Sequence, residues 1–354
     1  MQRVLVAMSG GIDSSIAATL LQEQGYEVIG ITFITYEEEP IEQLNLSYVN
    51  DAKIIAKALS IKHYVVDIQD NFKEKIVSYF VEEYERGRTP NPCVICNPTI
   101  KWNTLLEYAD KLNCPLVATG HYAKISQKDG RFYISQGIDK WKDQSYFLHR
   151  LPQEYLKRTL FPLGDLTKDR IREIAAEKGF TQLVKKRESY DVCFVRTDDY
   201  RDFVTEYLKK KHIKPKEGNF VDEHGNILGR HRGTMFYTVG QRKGLGVAMG
   251  YPVYVKEINP ETNEIVLAPK ENLAKQVLYA DKVNLQKYAT IPDGLEVITK
   301  IRYKDKGTPS NLYTEKDGRI RVEFLGPVYG VAPGQSAVFY EGEDVVGGGL
   351  ISLK

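Results

Sequence analysis

The apolar positions of the N-terminal third alternate between short continuous runs and longer amphipathic stretches. The short runs predict β-strands at Val4–Met8, Glu27–Phe33, His63–Ile68 and Pro115–Thr119. The stretches between them have helical spacing, at Ser14–Gln24, Asn50–Ser60, Asn71–Arg86 and Thr99–Leu112, and a further helix is expected at Lys168–Lys178. This order predicts an α/β fold with a parallel sheet covered by helices on both faces, and ligands at the carboxyl ends of its strands.

After about residue 200 the pattern changes to short strands separated by turns. The segment 229–250 is rich in glycine and aromatic residues. Beyond it we predict strands at Val253–Ile258, Glu264–Leu267, Glu296–Tyr303, Asn311–Tyr313, Ile320–Phe324 and Ala337–Tyr340. Asp317-Gly318 is a hairpin turn signal. Strands at this spacing predict a small barrel or sandwich, and domains are expected at 1–200, 201–272 and 273–354.

The segment Ser9-Gly10-Gly11-Ile12-Asp13-Ser14-Ser15 lies between the first predicted strand and the first predicted helix. Glycines at a helix N-terminus allow backbone N–H groups to approach a phosphate, and the serines add hydroxyl donors. The P-loop lysine motif and the G-x-G-x-x-G motif are both absent. The segment therefore predicts a phosphate site of another type, although an ordinary turn with Asp13 capping the helix would have a similar sequence.

Three of the four cysteines lie in polar, charged surroundings. Cys93 and Cys96 form a C-x-x-C just before the helix predicted from Thr99, and Cys193 follows the basic run at 185–187. A helix N-terminus and nearby cations predict a lowered thiol pKa at Cys96 and favour the thiolate of Cys193. Cys114 is predicted to be a small hydrophobic residue packed in the core. A dithiol pair, a zinc site and an iron–sulfur cluster held by Cys93, Cys96 and Cys193 all remain open.

Charge is unevenly distributed, although the formal net charge of the 354 residues is only +2. Residues 1–140 carry a net charge of −4, residues 141–250 carry +7 and residues 251–354 carry −1. The basic runs at 185–187, 209–214 and 230–232 form either a solvated face or a surface for a polyanion. The N-terminus leads directly into a strand, and no apolar run is long enough to span a bilayer, so we expect a cytoplasmic protein that does not enter membranes.

Eight motifs resemble those of the tRNA-specific 2-thiouridylases, enzymes that place sulfur on C2 of the wobble uridine. They are S-G-G-I-D-S-S at 9–15, G-R-T-P-N-P-C-V-I-C-N at 87–97, A-T-G-H-Y-A at 118–123, K-D-Q-S-Y-F-L at 142–148, F-P-L-G at 161–164, D-V-C-F-V at 191–195, F-Y-T-V-G-Q-R-K-G-L-G at 236–246 and A-P-G-Q-S-A-V-F-Y at 332–340. The resemblance implies a pyrophosphatase-loop (PP-loop) domain, a small central α+β domain and a C-terminal β-barrel.

The resemblance also implies site residues. ATP would bind to Ala7, Met8, Ser9, Gly10, Gly11, Ile12, Asp13, Ser14, Phe33 and Gly120. The target base would contact Asn91, Pro92 and Cys93, while tRNA would contact His121, Lys142, Asp143, Gln144, Arg302, Tyr303 and Gln335. Cys96 and Cys193 would be the catalytic cysteines, with Cys193 carrying a persulfide. Asp13 is the expected ligand of a Mg²⁺ ion that accompanies ATP.

The chain departs from the family pattern at four places. Cys93 stands where many members have Asp, Phe33 stands where Met is usual, and Glu188-Ser189-Tyr190 replaces Asp-Ser-Gln. The loop after Phe33 lacks the usual Lys and the cysteine-bearing insertion, and it runs through the acidic Glu37-Glu38-Glu39. The expected reaction is adenylation of the uridine by ATP, followed by sulfur transfer from the persulfide, with release of AMP and diphosphate. The expected partners are tRNA and a sulfur donor, either a cysteine desulfurase or a persulfide relay protein, and we expect a monomer. The alternatives are thiolation through a [4Fe-4S] cluster, a PP-loop amidating or ligating enzyme, and a tRNA-binding protein without catalysis.

Overall fold

The computed structural model describes residues 1–37, 46–184, 192–195, 197 and 199–352. The predicted basic run at 185–187, the segment 188–190 and the acidic residues 38 and 39 lie outside the described residues. Of the helices in the described parts, none is long and apolar enough to cross a membrane.

Helices are concentrated in the first 210 residues. The α-helices are α1 Ile12–Glu23, α2 Ser47–Ala58, α3 Gln69–Phe72, α4 Ser78–Glu85, α5 Pro92–Cys96, α6 Asn103–Lys111, α7 Gln153–Leu156, α8 Lys168–Glu177, α9 Thr181–Val184 and α10 Tyr200–Lys210. Two π-helical segments, Lys73–Val77 and Asn97–Trp102, join α3 to α4 and α5 to α6. The helices predicted at Asn71–Arg86 and Thr99–Leu112 therefore each contain a π-helical turn, a feature frequent at functional sites.

Strands occur throughout the chain. They are β1 Arg3–Ala7, β2 Glu27–Ile34, β3 Lys62–Asp67, β4 Leu116–Ala118, β5 Ala123–Lys128, β6 Arg131–Gln136, β7 Thr159–Leu160, β8 Gly218–Val221, β9 Ile227–His231, β10 Tyr254–Asn259, β11 Glu264–Ala268, β12 Lys275–Leu285, β13 Leu295–Lys300, β14 Thr308–Thr314, β15 Ile320–Val328, β16 Ser336–Glu341 and β17 Asp344–Ser352. The predicted α/β fold class is confirmed.

The N-terminal sheet is parallel and has the order β3-β2-β1-β4-β7 within the described residues. Its central strands are apolar on both faces, and Val4, Leu5 and Val6 are fully buried. Strands with two buried faces read as continuous apolar runs, which is why the sequence located them. The loops after β1, β2 and β4 meet at one edge of the sheet, where the predicted nucleotide residues lie.

The C-terminal strands close into a barrel. In the described residues its order is β12-β15-β14-β13-β16-β17, and antiparallel pairing of β12 with β17 closes the ring. The hairpin β5–β6 joins the same sheet through one pair, Ser135 with Asp344, which ties the barrel to the N-terminal half. Between them lies a smaller sheet of order β10-β11-β8-β9. The Asp317-Gly318 turn joins β14 to β15, as predicted.

Candidate active site

The glycine-rich turn between β1 and α1 is closed by its own side chains. The Ser9 N–H donates to Ser14 Oγ at 3.0 Å, and the Ser14 hydroxyl donates to the Gly11 carbonyl at 3.2 Å. Gly10 has a φ of +69°, and a Cβ there would lie 2.1 Å from the carbonyl oxygen of Tyr48. Only glycine fits this position. The turn therefore presents backbone at the N-terminus of a twelve-residue helix, the geometry that suits an anion.

The other predicted nucleotide residues surround this turn. Ala7 ends β1, Met8 is buried and donates its N–H to β2, and the buried Ile12 begins α1. Gly120 follows β4 and touches α1, because a Cβ there would lie 2.7 Å from a backbone nitrogen of its first turn. Phe33, near the end of β2, is partly buried against the core. The structure therefore brings the predicted set to one edge of the sheet.

Asp13 lies in the first turn of α1 and is held by two side chains from other elements. Lys168, the first residue of α8, places its Nζ 2.8 and 2.9 Å from the two carboxylate oxygens, and the Tyr122 hydroxyl donates to Oδ1 at 2.6 Å. The Lys168 side chain is only 6% exposed. Asp13 is thus the partner of a buried ammonium, and its role as a Mg²⁺ ligand stays a prediction that this geometry does not favour.

The C-x-x-C lies inside a helix. Asn91 caps α5 by accepting the Val94 N–H at 3.4 Å, and Pro92 occupies the first helical position. Cys93 and Cys96 therefore lie one turn apart, and the chain continues through the π segment into α6. The prediction that a helix starts near Thr99 was wrong, since Asn followed by Pro is itself a helix start.

The thiols of Cys93, Cys96 and Cys193 lie within electrostatic range of one cation, Lys101. Desolvation raises the pKa of Cys96 to about 12 despite the opposing charge of Lys101, and desolvation also raises the pKa of Cys193, an exposed residue. Burial alone would lower the pKa of Lys101, but the charges of Cys96, Cys193 and Cys93 outweigh it and raise that pKa. Desolvation and the Lys101 charge lower the pKa of His121 to about 3. The predicted low thiol pKa of Cys96 and the predicted preference of Cys193 for the thiolate are therefore both wrong for this conformation, because desolvation outweighs the charge of Lys101 at each thiol.

The position of Cys193 is fixed by the packing of the residue that follows it. Phe194 is 2% exposed and packs with ring centroids 5.2 Å from Phe80 and 5.0 Å from Phe203. Cys96 belongs to the same apolar cluster. Two cysteines 97 positions apart in the sequence are thereby brought within electrostatic range of each other.

The iron–sulfur alternative requires three thiolates around one cluster. Within the described ranges, which contain all four cysteines, no group of three or more His, Cys, Asp or Glu side chains is arranged to hold a metal ion. An iron–sulfur cluster held by Cys93, Cys96 and Cys193 stays a prediction. Cys114 is buried, as predicted, and makes only a weak contact with the Leu112 carbonyl.

Two predicted tRNA contacts, His121 and Asp143, are held by contacts within the protein. The His121 ring lies 5.5 Å from Trp102 between ring centroids, and its Nδ1 is 2.8 Å from Thr119 Oγ1. Asp143 is buried and accepts hydrogen bonds from the Gly137 N–H and from Ser145. These contacts support architectural roles for His121 and Asp143.

The remaining predicted tRNA residues differ in how accessible they are. Arg302 is exposed, while Lys142 is half-buried. Tyr303 is half-buried with its ring 4.4 Å from Phe147. The Gln144 side chain accepts the Tyr122 N–H at 3.0 Å, and Gln335 bonds to the backbone before α5. No measurement tests any of these residues as a tRNA contact, and each stays a prediction.

Comparisons with known proteins identify the family. Family models match three consecutive segments: a tRNA methyl transferase HUP domain at residues 2–197, a tRNA methyl transferase PRC-barrel domain at 202–269 and an aminomethyltransferase β-barrel domain at 275–351. A protein of Amoebophilus asiaticus named tRNA-specific 2-thiouridylase MnmA is 50% identical over 99% of this chain and 96% of its own. The chain belongs to the MnmA family of tRNA-specific 2-thiouridylases.

Two further MnmA proteins agree with this assignment. The one from Cytophaga hutchinsonii is 49% identical over 99% of this chain and 97% of its own. The one from Lachnoclostridium phytofermentans is 45% identical and covers 99% of both chains. The predicted family, the parallel-sheet PP-loop domain, the small central domain and the C-terminal β-barrel are confirmed. The comparisons add that the N-terminal domain is of HUP type and that the central domain matches a PRC-barrel model. The barrel has six strands in the described residues.

Sequence reasoning missed two residues that organise this MnmA site. Lys168 and Tyr122 hold Asp13 from positions 155 and 109 residues away in the sequence. A lysine at the start of a helix usually faces solvent, so nothing in the local sequence pattern points to its pairing. Lys101 is near Cys96 in the sequence, but its interaction with the charge of the distant Cys193 is visible only in the structure.

Proposed function

We propose that this protein is an ATP-dependent tRNA 2-thiouridylase, a sulfurtransferase that replaces O2 of the wobble uridine by sulfur. The proposal rests mainly on one observation: a phosphate-binding turn and two sequence-distant cysteines occur in one chain that matches MnmA proteins over 99% of its length. Phosphate binding alone would also suit a ligase. A ligase, however, has no need for a second cysteine placed near the first.

ATP is proposed to bind with its phosphates at the turn Ser9–Ser14. The backbone at Gly10 and Gly11 lies at the positive end of α1, where it would stabilise negative charge on the departing diphosphate. Lys168 forms an ion pair with Asp13, so its main contribution is to keep the first turn of α1 in place. This arrangement positions the nucleotide without requiring the P-loop lysine.

The first chemical step is adenylation. The C2 oxygen of uridine attacks the α-phosphorus of ATP, an oxygen–phosphorus bond forms, and diphosphate leaves with the electron pair of the broken bond. An amide-like oxygen is a poor leaving group, whereas the same oxygen bound to AMP leaves readily. ATP is thus consumed to make C2 of the base open to attack by sulfur.

The second step transfers sulfur. The outer sulfur of a persulfide on Cys193 attacks C2, and AMP departs with the former O2. Cys96 then attacks the inner sulfur, which leaves the transferred atom on the base as 2-thiouridine and joins Cys96 to Cys193 in a disulfide. A thiol reductant supplies two electrons to reopen the disulfide, and a cysteine desulfurase or a persulfide relay protein supplies the next sulfur atom.

The substrate base is proposed to lie against Asn91, Pro92 and Cys93 at the start of α5. Cys93 is half-buried, which places it at the border between the solvent and the buried Cys96. A wobble uridine is unpaired in its loop, so its extrusion costs little. The exposed lysines at 209–211, at the C-terminal end of α10, and the exposed Arg302 suit the phosphates of a tRNA stem.

The test is a single-turnover assay with Cys193→Ser, an unmodified tRNA transcript, ATP, a cysteine desulfurase with cysteine as the persulfide source, and a reductant, with 2-thiouridine measured by mass spectrometry. We expect loss of at least 100-fold in rate for Cys193→Ser, while Cys114→Ser, a buried cysteine outside the site, retains the normal rate. Thiolation at the normal rate by Cys193→Ser would overturn the proposal. Diphosphate release without any thiolation by the wild-type protein would favour the amidating or ligating alternative.

A further inference from the structure

The segment that leads into α5 is held by a turn of the C-terminal barrel. The Thr89 N–H donates to the Pro333 carbonyl at 2.7 Å. The side-chain amide of Gln335 donates to the Thr89 carbonyl at 3.2 Å and to the Pro90 carbonyl at 3.1 Å. These contacts join positions about 245 residues apart in the sequence.

The segment has few other means of fixing its backbone. Pro90 and Pro92 carry no N–H, so their peptide units anchor only through carbonyl oxygens. One amide from the barrel satisfies two consecutive carbonyls directly before the Asn91 cap of α5. The position of the cysteine helix is therefore set in part by a side chain of another domain.

The barrel turn is shaped for this contact. Gly334 has a φ of +90°, and a Cβ there would lie 2.9 Å from the Thr89 carbonyl oxygen and 3.2 Å from the Glu83 carboxylate. Glu83 in turn pairs with Arg88 at 3.0 Å. Glycine is required by both the backbone conformation and the close approach.

The turn is also fixed on its barrel side. The Gly334 N–H donates to the Ile351 carbonyl at 3.0 Å, and the Ile351 N–H donates to the Gln335 carbonyl at 2.7 Å. Ile351 lies on β17, which pairs with β12 to close the barrel. A displacement of the barrel would thus move Gln335 and, through its hydrogen bonds, the backbone that precedes Cys93 and Cys96.

We propose that Gln335 is a positioning residue that couples the C-terminal barrel to the cysteine helix α5, rather than a residue whose main role is to bind tRNA. The inference rests on the proposed function, because it gives the barrel a part in aligning the cysteines with the base.

The kinetic test compares Gln335→Ala with the wild-type protein. We expect the single-turnover rate of 2-thiouridine formation at saturating tRNA to fall 10- to 100-fold, the size typical of a misplaced reacting group, with tRNA affinity changed less than twofold. Replacing a residue that chiefly bound tRNA would instead weaken tRNA binding and leave the saturating rate unchanged. That result would overturn the inference.

A second readout does not depend on activity. Hydrogen exchange of the peptide covering 88–96 should become at least tenfold faster in Gln335→Ala, and exchange in the barrel strands should remain unchanged. Gln22→Ala is the matched control, because Gln22 donates to a main-chain carbonyl at 2.9 Å at the far end of α1. Unchanged exchange at 88–96 would refute the coupling even if the wild-type protein showed no thiolation, so failure of the inference and of the proposed function are distinguishable.

Discussion

Replacing Lys168 by methionine is expected to destabilise the N-terminal domain strongly. The Lys168 ammonium lies 2.8 Å from Asp13 Oδ1, and the two side chains are 6% and 33% exposed. Removing one partner of a fully buried ion pair costs about 3–5 kcal/mol. In the variant, water still reaches Asp13 and the Tyr122 hydroxyl still donates to it. We therefore expect a loss of stability smaller than that of a fully buried pair, about 2–3 kcal/mol.

The same two helices provide the control. Lys178 pairs with Glu23 at the other end of α8 and α1, but their side chains are 40% and 47% exposed. Lys178→Met should therefore cost about 0–1 kcal/mol.

Urea unfolding followed by circular dichroism measures both variants. Lys168→Met should lower the first midpoint by roughly 1 M, and Lys178→Met should leave it nearly unchanged. In a double-mutant cycle, Asp13→Asn should recover part of the loss caused by Lys168→Met, because it removes the unpaired carboxylate. Equal midpoints for the two lysine variants would refute the claim that the buried pair fixes the phosphate turn.

Other consequences concern the thiols, the phosphate turn and tRNA. Because burial raises the pKa of Cys96 to about 12, only about 10⁻⁴ of this thiol is ionised in the free protein at pH 8. Iodoacetamide should therefore label Cys193 before Cys96, and faster labelling of Cys96 would contradict this prediction. Gly10→Ala should abolish ATP binding measured by calorimetry. Gly25→Ala should retain it, because Gly25 is also at positive φ but a Cβ there would have no neighbour within 4 Å. Equal ATP binding by the two variants would contradict the clash with Tyr48. Affinity for tRNA should fall steeply with salt, and a flat response in filter binding would exclude a phosphate-dominated interface.

The phosphate turn could be predicted from sequence because its determinants are consecutive. A buried strand, two glycines and a helix start lie within fifteen residues, and each has a local signal. The thiol pKa values were not predictable in this way. Burial of Cys96 depends on aromatic residues such as Phe194, which come from distant parts of the chain. Local charge near a cysteine therefore gave the wrong direction.

A long-range pairing also explains why the pattern missed the last strand, β17. β17 contains Gly347, Gly348 and Gly349, residues that are depleted in strands. A Cβ at Gly347 would lie 2.5 Å from the Asn284 carbonyl oxygen, so the glycines permit the close approach of β12 that closes the barrel. A barrel is predictable from strand spacing, but its closing strand is not, because glycine there serves a contact 63 residues away in the sequence.

The most direct test of the account is to map the cysteine linkage after one turnover without reductant. Protein with a persulfide on Cys193 would be mixed with ATP and unmodified tRNA, quenched in acid, digested and analysed by non-reducing mass spectrometry. The account predicts one Cys96–Cys193 disulfide for each 2-thiouridine formed. Formation of 2-thiouridine with both thiols recovered free would contradict it.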